Sequence, residues 1–230
     1  MSKKKKKIGN ENVEGIENAL SKTEQYIEEN QKSLSIIVAA IIIIVGGYFA
    51  YQKFYVNPLE IEAQSQMFVA EQYFEKDSFN LAIYGDGNYL GFLDIIDEYG
   101  VTKSANLANY YAGISYLYLG DYESAIDYLK GFDANDQIIA PIALGAIGDA
   151  YSELDEQNKA VSFYNKAALK SKNSLTTPIY VMKAAQIYEE LNEFEKALEL
   201  YYKIEKDYPK SQEGRYIEKY ITRAKLLLQK

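Results

Sequence analysis

The pattern of apolar and polar positions changes character along the chain. From Ser33 to Gln52 it is an unbroken run: twenty residues between Lys32 and Lys53 carry no charge and centre on IIVAAIIIIVGGYFAY. At about 1.5 Å per residue, such a helix reaches about 30 Å, the thickness of a bilayer's hydrocarbon core. The run therefore predicts one transmembrane helix over residues 33–55, with Tyr48, Tyr51 and Tyr55 at headgroup level. Four consecutive isoleucines, Ile41 to Ile44, are excessive for the core of a soluble protein. A cleaved signal peptide fits poorly, because the run starts far from the N-terminus and Gly47-Tyr48-Phe49-Ala50-Tyr51 puts bulky rings where cleavage needs small residues. The spacing of Gly46 and Ala50 suits close packing against another membrane helix.

Ahead of the run, Val13, Ile16, Leu20 and Ile27 share one helical face, with Glu14, Glu17, Glu24, Glu28 and Glu29 largely elsewhere. So acidic a helix is repelled by anionic lipid, and it reads as a partner-docking helix or a solvated lead-in. Lysine placement orients the span. Lys3, Lys4, Lys5, Lys6 and Lys7 lie with Lys22 and Lys32 before it, whereas only Lys53 and Lys76 follow in the next forty residues. Positive charge stays on the cytoplasmic side. Residues 1–32 are thus expected to be a cytoplasmic head, and residues 59–230 a domain carried across the membrane.

At Asn57-Pro58 a chain break is expected, and a new rhythm follows. Gly113-Ile-Ser-Tyr116 precedes Gly120-Asp-Tyr122-Glu-Ser-Ala125; Gly148-Asp-Ala-Tyr151 precedes Ala160-Val; Ala185-Gln-Ile-Tyr188 precedes Phe194-Glu-Lys-Ala197-Leu. The tyrosines are 35 residues apart (116 to 151) and then 37 (151 to 188), and the alanines keep the same offsets. A looser copy runs from Ala70-Glu-Gln-Tyr73 to Phe79-Asn-Leu-Ala82 and then departs into Gly85-Asp-Gly87. These motifs resemble the tetratricopeptide repeat, a helix–turn–helix unit of about 34 residues. Small residues at Gly113, Gly148 and Ala185, facing Ala125, Ala160 and Ala197, suit close helix contact, and Tyr116, Tyr151 and Tyr188 suit the gaps between pairs. Pro209 suits the end of the last pair, and residues 211–228 read as an amphipathic cap. The expected fold is all-α: one N-terminal transmembrane helix, then an α-solenoid of about four helical pairs with a C-terminal capping helix.

Composition narrows the chemistry. Cysteine, histidine and tryptophan are absent, which removes thiol and imidazole catalysis, disulfides, Cys/His zinc sites and cysteine lipidation. The net charge of −8 argues against nucleic acid as a partner. Carboxylate pairs such as Asp94/Asp97/Glu98, Asp133/Asp136 and Glu189/Glu190 read as solvated helix faces, and Gly85-Asp-Gly87-Asn88 lacks the ligand spacing of an EF-hand. No enzyme activity, cofactor, metal or small-molecule substrate is expected.

Function then rests on surfaces. Carrying the repeat's groove positions across gives Tyr110, Ile114 and Leu117, then Gly145, Asp149 and Ser152, then Met182, Lys183, Gln186 and Glu190. No groove position is carried onto the first pair, where the insertion after Ala82 departs from the repeat. Of the cations that clamp a partner's carboxylate in chaperone-binding relatives, only Lys183 has a counterpart. Residues 57–230 hold 17 Lys and Arg against 27 Asp and Glu, a net of −10, which favours basic or apolar polypeptide.

A lysine-headed segment, one signal anchor, the AEQYFEKDSFNLA opening and three good repeats resemble the YfgM-type ancillary subunits of the bacterial SecYEG translocon. The resemblance implies an adaptor in the inner membrane whose periplasmic domain meets translocon subunits, emerging polypeptides or periplasmic chaperones. Two other readings stay open. One is a structural scaffold in an envelope secretion, motility or outer-membrane assembly machine. The other is an organelle import receptor with cytosolic repeats.

Overall fold

The computed structural model describes residues 26–229, which divide after Val56 into two compact units. The lysine head (Lys3 to Lys7) and most of the acidic amphipathic segment lie outside the described residues. In the first unit, helix α1 (Gln31–Tyr51) has no buried residue and is long and apolar enough to cross a membrane. Nothing comes within 4 Å of a Cβ placed on Gly46 or Gly47, so the proposed packing face is open.

The expected break at Asn57-Pro58 is absent: both residues have helical backbone. The irregularity sits just before them, in a π-helical turn over Gln52–Val56. Pro58 has no N–H to offer the carbonyl four residues back and its ring crowds that carbonyl.

The second unit begins with α2 (Asn57–Glu75), followed by α3 (Phe79–Tyr84) and α4 (Phe92–Glu98), which are one second helix cut by a loop. Three regular pairs follow: α5 (Lys103–Leu119) with α6 (Tyr122–Gly131), α7 (Ile139–Glu153) with α8 (Gln157–Lys170), and α9 (Thr177–Glu190) with α10 (Phe194–Asp207). The cap is two helices, α11 (Gln212–Arg215) and α12 (Ile217–Leu228). The expectation of one helix from 211 is corrected there: Tyr216 leaves helical geometry at φ −116°, and α12 restarts with Ile217 buried.

One turn recurs four times and settles the status of the first pair. Asp77, Gly120, Asp155 and Asn192 all sit in the left-handed region, at φ 55°, 78°, 57° and 59°. The N–H that follows each one donates back to a tyrosine carbonyl: Ser78 to Tyr73 (2.9 Å), Asp121 to Tyr116 (3.0 Å), Glu156 to Tyr151 (2.9 Å) and Glu193 to Tyr188 (2.8 Å). That bond satisfies a carbonyl the ending helix would leave unpaired. Asp, Asn and Gly are the residues that tolerate the conformation. The first pair is therefore a full copy up to Tyr84, and only the loop over residues 85–91 is its own. Asp86 staples that loop, accepting Asn88 N–H and Tyr89 N–H (both 2.9 Å) and the Tyr73 hydroxyl (2.7 Å). These bonds hold its carboxyl below the usual range, the Tyr73 hydroxyl contributing most.

Small residues set the spacing within pairs. A Cβ on Gly113 would lie 2.5 Å from Leu129 Cγ and 3.1 Å from the Ala125 carbonyl, so α5 meets α6 at backbone contact. Gly148 meets the Tyr164 ring of α8 in the same way, at 2.6 Å. Between pairs, aromatic side chains fill the wider gap. Tyr116, stacked on Tyr128 of its own pair (5.3 Å), shares a hydroxyl contact with Tyr84 of the first pair (3.0 Å), while Tyr151 accepts from Lys130 of the preceding pair (3.1 Å). Burying a large apolar side chain contributes about 1.5–3 kcal/mol each, and Phe92, Ile95, Leu129, Ile147, Ile204 and Tyr201 are all fully buried. Glu60 of α2 ties the first pair to the second: it caps α5, accepting Lys103 N–H (2.6 Å) and the Ser104 hydroxyl (2.8 Å).

Candidate protein-binding groove

Three cavities lie against the first helices of the four pairs, α2, α5, α7 and α9. The head cavity, about 470 Å³, takes Phe74, Glu75, Asp77 and Phe79 from the first pair, Tyr110, Ile114, Leu117 and Tyr118 from α5, Ile142, Ala146 and Asp149 from α7, and Tyr180 from α9. A second cavity, about 350 Å³, shares Leu117 and Asp149 with it and adds Ser152, Tyr164 and Lys183. A third, about 580 Å³, is bounded by Gln186, Glu189, Glu190, Arg223 and Leu227. These volumes suit side chains of a bound segment.

Asp149 is the polar centre. Its carboxylate accepts the Tyr164 hydroxyl (2.7 Å) and both contacts of Lys183 Nζ (2.6 and 2.8 Å). The three residues come from α7, α8 and α9, so the cluster closes the third pair on the fourth. Burial, and then the Asp149 charge, push the Tyr164 and Tyr180 hydroxyls above the ordinary tyrosine value. Asp149 and Lys183 stay about one-third exposed (33% and 37%), so the pair itself is worth about 0.2–1 kcal/mol. Further along, Arg223 of the cap pairs with Glu189 through two guanidinium nitrogens.

The ten groove residues read from the sequence land unevenly. Tyr110, Ile114, Leu117 and Asp149 line the head cavity; Ser152 and Lys183 line the second; Gln186 and Glu190 line the third. Met182 faces inward and is buried in the core. Gly145 also leaves the groove surface, because the Tyr180 ring fills the space a side chain there would take. The first pair, given no groove position, supplies four residues of the head cavity. Phe74, Phe79, Tyr118 and Tyr180 were missed for a physical reason: repeat registers number positions within a helix, whereas these residues meet only when the first turn stacks on α5. The recurring turn motif was the one signal that could have placed Phe79.

Comparison with known families gives an independent measure of the repeats. Residues 107–135 and 181–211 match the tetratricopeptide repeat model. These segments are similar to tetratricopeptide repeats. The first match runs from within α5 through α6, and the second from within α9 through α10 to Ser211. Tetratricopeptide repeats make scaffolds that bind protein partners, and an all-helical stack of them is typically an interaction module. No curated protein matches the chain.

Two of the carboxylates considered for catalysis accept N–H groups at helix starts. Asp94 accepts Gly91 N–H (3.0 Å) at the start of α4. Asp136 accepts three N–H groups, of Ile138, Ile139 and Ala140, at the start of α7, and these hold its carboxyl below the usual range against the opposing effect of burial. Among the described residues no group of three or more His, Cys, Asp or Glu side chains could hold a metal ion.

Proposed function

We propose that the protein is a membrane-anchored adaptor that holds polypeptide segments in the groove of its tetratricopeptide repeats. The observation that carries this is the pair of adjoining cavities along α5, α7 and α9, which share Leu117 and Asp149 and run from Tyr110 to Lys183. The apolar α1 supports anchoring by its length and composition. The lysines before it support an inner-membrane protein with a cytoplasmic N-terminus and periplasmic repeats. The likeness of the architecture to YfgM-type subunits supports a place beside the Sec translocon, with translocating polypeptides or periplasmic chaperones as partners.

Three measurements test the parts separately. Protease added to spheroplasts is expected to digest residues 59–230; digestion only after lysis sinks the orientation. A photo-crosslinker at Tyr110 is expected to capture many polypeptides; one stoichiometric partner would favour a scaffold, and no capture would end the groove reading. Pulldown in mild detergent with mass spectrometry is expected to recover translocon channel subunits, and their absence removes the Sec assignment alone.

A further inference from the structure

The head cavity has a chemistry its neighbours lack. Five aromatic rings line it, those of Phe74, Phe79, Tyr110, Tyr118 and Tyr180, beside the carboxylates of Glu75, Asp77 and Asp149, and no Lys or Arg side chain does. Lys183 answers Asp149 from the second cavity. Glu75 and Asp77 enter none of the ion pairs formed among the described residues, which join Lys159 to Glu156, Lys183 to Asp149, Lys196 to Glu193 and Arg223 to Glu189.

The fold holds these groups in place. Glu75 ends α2, and Asp77 is locked in the left-handed turn, its N–H donating to the Phe74 carbonyl (3.0 Å). Phe79, two residues on, lies flat against Tyr118 with ring centres 4.8 Å apart and planes within 3°. Tyr118 is nonetheless 69% exposed, so a large aromatic surface stays open to solvent beside two unneutralised carboxylates.

Aromatic faces are electron-rich, and together with carboxylates they attract a cation. A guanidinium suits the pairing best: it is planar, always charged and weakly hydrated, it stacks on rings, and its fork matches a carboxylate. An ammonium could use the carboxylates but would gain less from the rings. We infer that the head cavity is a subsite for an arginine side chain of the polypeptide held in the groove, received between the Phe79–Tyr118 stack and the Glu75 and Asp77 carboxylates. This rests on the groove reading and adds a sequence preference to it.

The test uses the full chain in nanodiscs, with ring-labelled tyrosine followed by NMR, and the probe Nα-acetyl-L-arginine methylamide. Saturable shifts are expected at Tyr110, Tyr118 and Tyr180. The neutral isostere, the citrulline methylamide, is expected to bind about fivefold or more weakly, with the lysine analogue between the two. Glu75→Gln with Asp77→Asn is expected to bring arginine down to the citrulline level. Tyr118→Ala, at an exposed position that leaves the fold intact, is expected to weaken arginine selectively. Equal binding of arginine and citrulline, or a preference that survives the double substitution, overturns the subsite. In that event crosslinks at Tyr110 would persist unchanged in the double variant, whereas failure of the groove itself removes them in the parent protein.

Discussion

The Tyr180 ring lies where a side chain on Gly145 would be: a Cβ there would stand 1.9 Å from Tyr180 Cε1 and 2.6 Å from its hydroxyl. α7 and α9 are neighbouring first helices, so this contact sets how closely successive pairs stack. Gly145→Ala is expected to destabilise the repeat unit by about 1–3 kcal/mol, since ring and backbone must move together. Tyr180→Leu alone is expected to be destabilising too, but the double substitution should recover part of the loss. Strictly additive melting shifts in the cycle would show that the two side chains do not compete for that space.

Alkaline pH is expected to unfold the domain through its buried tyrosines. Burial first, then neighbouring carboxylates or tyrosines, raise the Tyr116, Tyr164, Tyr180 and Tyr201 hydroxyls above their ordinary value of 10.0. A raised folded value means the unfolded chain loses protons first. The stability these groups contribute is complete below pH 10 and drains away as pH rises through their folded values. Tyrosinate absorbance should therefore rise cooperatively with loss of helical circular dichroism. A smooth tyrosinate titration completed while the helix signal persists would contradict this.

Asp136 supplies the opposite pH dependence. It serves the exposed N–H groups at the start of α7, and Asp136→Ala is expected to cost about 0.5–2 kcal/mol at neutral pH. Because its folded value is depressed below 3.8, that contribution is present above pH 3.8 and vanishes as pH falls through the folded value. The melting temperatures of parent and variant should converge in acid; a constant difference down to the lowest pH that keeps the fold would argue against the cap.

The anchor has a direct test. A lysine at Ile43, near the middle of α1, costs about 2.5–3.5 kcal/mol in a bilayer core. Ile43→Lys should move part of the protein into the alkaline-carbonate supernatant, while Ile43→Leu stays with the membrane. Identical partitioning of the two variants would mean that α1 does not span.

Loss of the Asp149 carboxylate should show how the polar centre is organised. Asp149→Ala removes the acceptor of the Tyr164 hydroxyl and also releases Lys183. A stability loss of about 1 kcal/mol is expected, larger than the Lys183→Met effect, because Tyr164 is buried and Lys183 is partly solvated. Equal losses in thermal melts would place the weight on the ion pair.

Much of this molecule is written locally. The charge-free run from Ser33 to Gln52, the in-phase glycines, alanines and tyrosines, and the absence of cysteine and histidine are facts of composition and spacing, and they determine a helical repeat stack behind an apolar helix. The candidate groove positions Tyr110, Ile114, Leu117, Asp149, Ser152, Lys183, Gln186 and Glu190 come from the same register of the repeat. What the register leaves open is everything that depends on two pairs meeting. That Tyr180 fills the place of Gly145, that Met182 turns inward, that Lys183 is held by Asp149 and that Phe79 stacks on Tyr118 are decided only when α2, α5, α7 and α9 come side by side. Spacing along a chain encodes the shape of each hairpin, whereas the distance between hairpins is set by how their side chains interlock, which no single repeat contains.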